Sequence, residues 1–232
     1  MSAARLVVLD TETTGLDAKA GDRVIEIGCV ELLGRRPSDN HFHRYVNPER
    51  AIDEGALKVH GLTGEFLADK PRFAEVAAGF LDYVRGAELV IHNAGFDVEF
   101  LDAELGRAGL GRLRDHVAGI VDSLALAREL HPGRRNSLDA LCERYAVQNA
   151  HRTLHGALLD ARLLAEVYLA MTRGQDSLAM DLESPAEQAA ATAAVDASKL
   201  VVRRASPEEL AAHEAYLDGM AKEAGGKVVW RR

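Results

Sequence analysis

Residues 6–16 read LVVLDTETTGL. An apolar run, Leu6 to Leu9, ends in Asp10, and Glu12 follows two positions on. A run of this length and composition predicts a buried strand over residues 5–12. Residues two apart on a strand leave on the same face, so Asp10 and Glu12 present both carboxylates together. Two readings compete. The strand is either leaving the core for a solvated turn at Thr13-Thr14-Gly15, or mounting two acids for a cation. A lone Asp-x-Glu decides little, and the choice falls to the rest of the chain.

Working outward, RVIEIGCVELL (23–33) and HFHRYVNP (41–48) predict two more strands, with GRRPSDN (34–40) as the turn between them. PRFAEVAAGFLDYVRG (71–86) has helical spacing in Phe73, Val76, Ala77, Phe80, Leu81 and Val84, with Pro71 in the first turn and Gly86 at the exit. AELVIHNAGF is a short buried strand, and DVEFLDAELGRAGL a helix beginning near Asp97. GIVDSLALARELHPG starts extended and turns helical. SLDALCERYAV is a helix capped by Ser137, and GALLDARLLAEVYLAM (156–171) is a strongly amphipathic helix. Strands first, then strands alternating with helices, predict a mixed-sheet α/β domain over about residues 5–172.

The bulk numbers agree. Of 232 residues, 47% are hydrophobic and 28% charged, which supports a sizeable core and excludes wholesale disorder. No apolar run reaches membrane-spanning length. MSAARLVVLD does not read as a secretory signal. Cys29 and Cys142 lie in apolar segments without metal spacing, so reduced thiols in a cytoplasmic protein are expected. A formal net charge of −8 argues against a stand-alone protein gripping long nucleic acid through its phosphates. It leaves room for an enzyme that holds one strand end through metal ions.

Three later segments bear on the two acids. In VIHNAGFDVEFL (90–101), an apolar strand delivers His92-Asn93, and Asp97 falls near a helix start. A helix cap is one role for Asp97. Its place between Phe96 and Phe100, whose rings would shield it from water, favours a site. In RTLHGALLDARLLAEVY (152–168), Asp160 sits within the apolar periodicity of a helix. His155, five residues earlier, would not share its face if both were helical. It fits the loop entering the helix, hinged by Gly156; taken by itself, it is equally a polar residue near a helix start. Asp122 reads as a cap on the helix that follows it. Asp10, Glu12, Asp97 and Asp160 are acids at strand ends or helix starts with a single histidine beside the last. Such a set favours two hard divalent cations, Mg²⁺ or Mn²⁺, over zinc. Two such ions roughly 4 Å apart suit phosphodiester hydrolysis, with His155 as the base that activates water.

The ordered set DTETTGL, HNAGFD and HGALLD resembles the three signature motifs of the DEDDh 3′→5′ exonucleases. With VIEIGCVEL, VHGLT, RNSLDALCERY and RTLHGALLDARLLAEVYLAM, nearly the whole chain resembles the proofreading exonuclease subunits of bacterial DNA polymerase III. The resemblance implies a ribonuclease-H-like fold, a mixed central sheet flanked by helices, over residues 1–174. It implies that Asp10, Glu12 and Asp160 hold the metals directly, that Asp97 completes the site partly through water, and that His155 is the general base. It implies removal of mispaired 3′-terminal nucleotides from DNA as 5′-mononucleotides. Thr13, Gly15 and Leu16 would contact the terminal nucleotide, with Leu16 wedged against its base, and His60, Asn93 and Phe96 would line the same pocket. The family often places a substrate-contacting Glu just before VHG; here AIDEGALKVHG leaves the register between Glu54 and Gly55 open, and no contact is assigned. RNA-trimming members share this core, but usually lack the segments that follow it. A non-catalytic scaffold would require a damaged acid set, and this one is intact.

Beyond Gly174 the composition changes. Residues 175–198 contain no Lys or Arg and many Ala, and read as a flexible linker. QDSLAM (175–180) resembles sliding-clamp-binding peptides through Gln175, Leu178 and Met180, weakly, since Met replaces the usual aromatic. Residues 199–232 contain an extended KLVVRR and a helix with Ser206 as N-cap, Pro207 at N1, Glu209 completing a capping box and Gly225-Gly226 as the stop. The tail is too short to bury a core of its own. It is expected to dock on a partner, which the resemblance identifies as the polymerase alpha subunit; folding back on the main domain is the alternative. A small accessory core subunit is a further possible partner.

Overall fold

The computed structural model describes residues 5–149, 154–173 and 205–223. Residues 1–179 and 180–232 form two separate units. In the first, strands β1 (Arg5–Thr13), β2 (Val24–Leu33), β3 (Arg36–Tyr45), β4 (Glu88–Ile91) and β5 (Gly119–Asp122) form one sheet in the order β3-β2-β1-β4-β5. β4 pairs parallel with both β1 and β5, and β2 pairs antiparallel with both β1 and β3, so β2 alone runs against the other four strands. The mixed sheet flanked by helices matches the expected ribonuclease-H-like architecture.

Alternation along β1 sends side chains to two layers. Val7 and Leu9 face a core built with α3 (Phe73–Val84) and α4 (Ala94–Arg107), including Phe73, Phe80, Phe100 and Leu101. Leu6 and Val8 face α7 (Ala157–Met171), meeting Leu164 and Ala165. Behind α7 pack α5 (Ser123–Leu130) and α6 (Leu138–Tyr145), through Ala127, Leu141 and Cys142. Asp10 and Glu12 continue the Leu6/Val8 face, so they emerge toward α7 where the apolar stripe ends. Gly28 stands opposite Asp10 on β2. A Cβ there would collide with the Ala157 carbonyl and the Leu158 nitrogen, so the missing side chain lets the first turn of α7 descend onto the sheet.

Local chemistry accounts for several boundaries. Ser137 Oγ accepts from the Ala140 amide, and Asp122 accepts from the Leu124 and Ala125 amides at 2.9 and 3.2 Å, so both residues cap their helices as expected. Cys29 and Cys142 are buried free thiols. In the second unit, helix α8 (Pro207–Glu223) starts at the predicted capping box, with the Ser206 amide donating to Glu209 at 2.8 Å and the Glu209 amide donating to Ser206 Oγ at 3.2 Å.

Other expectations need correction. The turn expected over 34–40 is two residues, Gly34-Arg35, both left-handed (φ 54° and 63°), and Leu33 pairs directly with Arg36. That turn suits a tight hairpin, so β3 begins at Arg36 rather than 41, and Pro37 is tolerated because β3 is an edge strand. α4 begins at Ala94, not near Asp97, behind an Asn93 held at φ 67°. Short helices α1 (Glu54–His60) and α2 (Gly64–Leu67) occupy a region with too few apolar positions to announce them. Pro71 lies before α3, whose start is closed by Glu75 accepting from the Arg72 amide at 2.7 Å. The linker, the clamp-like peptide at 175–180, KLVVRR and Gly225-Gly226 fall outside the described residues.

Candidate active site

The acids come from three elements and meet at the C-terminal end of β1. β1 supplies Asp10 and Glu12, α4 supplies Asp97 from one layer, and α7 supplies Asp160 from the other. Asp97 is only 3% exposed. It does not cap its helix: its carboxylate reaches across to β1 and accepts from the Thr11 amide (3.1 Å) and hydroxyl (2.7 Å). Burial pushes its carboxyl up to about 7, against the downward pull of those hydrogen bonds. The Phe96 and Phe100 rings meet beside it, tilted by 42° with centres 4.8 Å apart.

His155 lies outside α7, and its ring folds back so that Nδ1 is 3.2 Å from Asp160 Oδ2. Its backbone is anchored separately, with the His155 amide donating to the Val59 carbonyl of α1 at 3.0 Å. Leu154 packs against Gly61, the left-handed residue that ends α1. The VHG segment therefore buttresses the loop that carries the histidine. The start of α7 is tied down from the sheet: Glu26, opposite Glu12 on β2, accepts from the Ala157 amide at 3.2 Å and pairs with His43 Nε2 at 2.7 Å. Gly156, at the N-cap position, has no side chain for this task.

Glu12, His155 and Asp160 place potential ligand atoms within 4.8 Å of one another. Carboxylates this close repel in low dielectric, and a hard cation relieves that repulsion. The donor set fits a divalent metal. These side chains open into a cleft of about 880 Å³ lined by Asp10, Thr11, Glu12, Leu16, Asn93, Phe96, Asp97, His155 and Asp160. Leu16 is 84% exposed at the cleft, an apolar side chain held out of the core.

Thr13, Gly15 and His60 do not line this cleft; they shape its surroundings. The Thr13 hydroxyl donates to the Gly15 carbonyl at 2.6 Å. A Cβ on Gly15 would strike the Asp22 carboxylate, which also accepts from the Thr14 hydroxyl and the Asp17 amide. His60 is 4% exposed, its Nδ1 accepts from the Leu62 amide at 2.9 Å, and burial lowers its pKa, so it is neutral near pH 7. The far wall carries residues given no role by the sequence: Arg128, Arg134 and Asn136; His92, at the end of β4, also lines the cleft. The only sequence signal for this wall was the basic HPGRRN turn between two helices.

Sheet, acid cluster and adjacent imidazole define a metal-dependent nuclease, and the comparisons identify its kind. A family model described as "RNase_T: Exonuclease" matches residues 7–168. The DNA polymerase III subunit epsilon of Escherichia coli K12 is 52% identical, covering 98% of this chain and 97% of that protein. That of Rickettsia prowazekii is 43% identical, covering 97% and 100%. A solved structure of exonuclease X in complex with 5′ overhanging duplex DNA is similar at 27% identity and TM-score 0.56, over 73% of this chain and 92% of the other. Exonuclease I shares the fold, with TM-score 0.65 at 18% identity over 73% of this chain and 41% of the other. The chain belongs to this exonuclease family and, within it, to the DNA polymerase III epsilon subunits. It is a metal-dependent 3′→5′ exonuclease.

Proposed function

We propose that this chain proofreads newly made DNA, removing mispaired 3′-terminal nucleotides as 5′-mononucleotides within a bacterial polymerase III core in the cytoplasm. The observation that carries this reading is the convergence of Asp10, Glu12, Asp97 and Asp160 with His155 in one cleft, in a chain similar over nearly its whole length to the epsilon subunits. Asp10, Glu12 and Asp160 would hold two cations, Mg²⁺ or Mn²⁺, and Asp97 would complete the set from its buried position beside Thr11. Bound there, the cations would supply Lewis-acid chemistry to the scissile phosphate and the attacking water. His155 takes the proton from that water. Nδ1 lies against Asp160, which leaves Nε2 as the nitrogen proposed to accept that proton. Leu16 wedges against the terminal base, Asn93 and Phe96 flank the sugar and base, and Thr13, Gly15 and His60 hold the shape of that pocket.

The test is nucleotide release from 3′-labelled oligonucleotides, with paired and mispaired ends and an RNA of the same sequence. The expected result is Mg²⁺-dependent release, faster from mispaired than paired DNA and abolished by chelation. Faster trimming of RNA would overturn the choice of substrate.

Residues 1–174 form the nuclease domain in this proposal, 175–198 a linker and 199–232 a tail that docks on the alpha subunit. The linker keeps the nuclease near the primer end by raising its effective concentration, and Gln175, Leu178 and Met180 add a weak sliding-clamp contact. The capped helix α8 supports a structured tail. Deleting residues 199–232 is expected to abolish co-purification with the polymerase subunit while sparing nucleotide release; retained binding would move the docking site elsewhere. No helix among the described residues is long and apolar enough to cross a membrane.

A further inference from the structure

The cleft extends well past the acids. Its far wall is built from α5, the loop that follows it and the start of α6, all connected downstream of β5. In the sheet, β5 stands two strands from β1. Two strand spacings put β5, from which that wall is hung, roughly 10 Å from β1. Two guanidinium groups stand on it: Arg128 from the last turn of α5 and Arg134 from the loop, both exposed and both lining the cleft. Among the described residues neither pairs with a carboxylate. In a chain of net charge −8, two uncommitted cations on one cleft wall need a reason.

The loop carrying Arg134 is built, not incidental. Gly133 turns it with φ 73°, and the Arg134 amide donates to the His131 carbonyl at 3.2 Å. Asn136, 7% exposed, donates to the same carbonyl at 3.3 Å. A third guanidinium, Arg144 of α6, is spent on supporting this turn, donating to Asn136 Oδ1 at 3.0 Å and to the Arg135 carbonyl at 2.7 Å. The wall also carries Asp139, whose carboxylate accepts from the Asn149 side-chain Nδ2 at 3.3 Å. The backbone under Arg134 is thus fixed on both sides, while its guanidinium is left to meet something from outside. A planar guanidinium suits a phosphate, which it can bond through two parallel N–H groups.

We propose that Arg128 and Arg134 bind backbone phosphates of the strand upstream of its 3′ end, about one or two nucleotides from the bond that is cut. This rests on the exonuclease reading above and extends it. The acids handle the terminal phosphate through cations. The arginines handle the next phosphates directly, and so give the enzyme a grip on a strand rather than on a mononucleotide ester. An acidic chain can then hold a short stretch of strand at one wall without a basic surface elsewhere.

The experiment measures KM and kcat of the full chain on a thymidine dinucleotide and an octanucleotide, across a series of NaCl concentrations at fixed Mg²⁺. The variants are Arg128→Gln, Arg134→Gln and the double substitution. For the unsubstituted chain, KM is expected to fall with length and to rise steeply with salt. In the double variant the octanucleotide KM is expected to rise about tenfold, bringing it toward that of the dinucleotide. The log–log salt slope is expected to shrink by about 1.4, roughly 0.7 for each lost contact to a single strand. The effect falls on KM rather than kcat, and Arg134→Lys recovers part of it through its charge. An unchanged octanucleotide KM and salt slope would overturn the proposal. So would an equal loss on both substrates, which would signal a distorted cleft rather than a lost phosphate contact. A native chain that releases no nucleotide from either substrate would instead defeat the exonuclease reading itself.

Discussion

Asp160→Asn is expected to lower kcat on the order of 10³-fold or more while the domain stays folded. Asp160 is 3% exposed, one turn into α7, with its carboxylate against the His155 ring and beside Glu12. Asn keeps the shape but removes the charge that a cation needs there. The same substitution relieves repulsion among the acids, so the metal-free variant is expected to melt higher than its parent, by about 2 °C or more for each kcal/mol relieved. Single-turnover release of the terminal nucleotide and thermal melting in a chelator read the two effects separately. Activity within tenfold of the parent would remove Asp160 from the cation site. A lower melting temperature would mean that its carboxylate serves mainly as a structural hydrogen-bond acceptor.

His155→Ala is expected to reduce kcat by roughly 10²- to 10⁴-fold, the usual worth of a positioned base, with cation affinity nearly kept. His155 enters α7 from outside, with its amide fixed on Val59 and Nδ1 on Asp160. That geometry orients the ring by its contact with a carboxylate, the arrangement that favours a proton on the nitrogen facing the acid. The ring also lies within ligand distance of Glu12 and Asp160, so a direct metal-ligand role is the competing account. Mn²⁺ binding measured by calorimetry separates the two. A collapse in affinity parallel to the loss in rate would make His155 a ligand and leave the base unassigned.

The core of the fold was readable because its signals are local. The apolar run of β1, the spacing of Phe73 to Val84 and the caps at Ser137, Asp122 and Ser206 each identify an element from a few neighbouring residues. The acids were readable for the same reason, since each breaks an apolar pattern. What escaped depends on contacts between distant residues. Nothing near Asp97 foretells that its carboxylate will serve Thr11, 86 positions earlier. Nothing near Gly156 shows that Glu26 will close the start of α7. The short turn at Gly34-Arg35 was missed because a polar edge strand looks like a loop in sequence. Arg128 and Arg134 were overlooked because a cation on a helix end or a turn is commonplace; only the cleft makes it unusual.

The close packing of acids on three elements gives the cleft the logic of a two-key lock. Without cations, its floor repels any phosphate that approaches, so a stray strand end meets a closed door. With cations but no strand end within reach, there is nothing to cut. Hydrolysis then requires both inputs at once, and the discrimination begins before any bond is strained. For an enzyme that destroys what its neighbour has just made, a resting state hostile to its own substrate is a safeguard built into the charge of Asp10, Glu12 and Asp160.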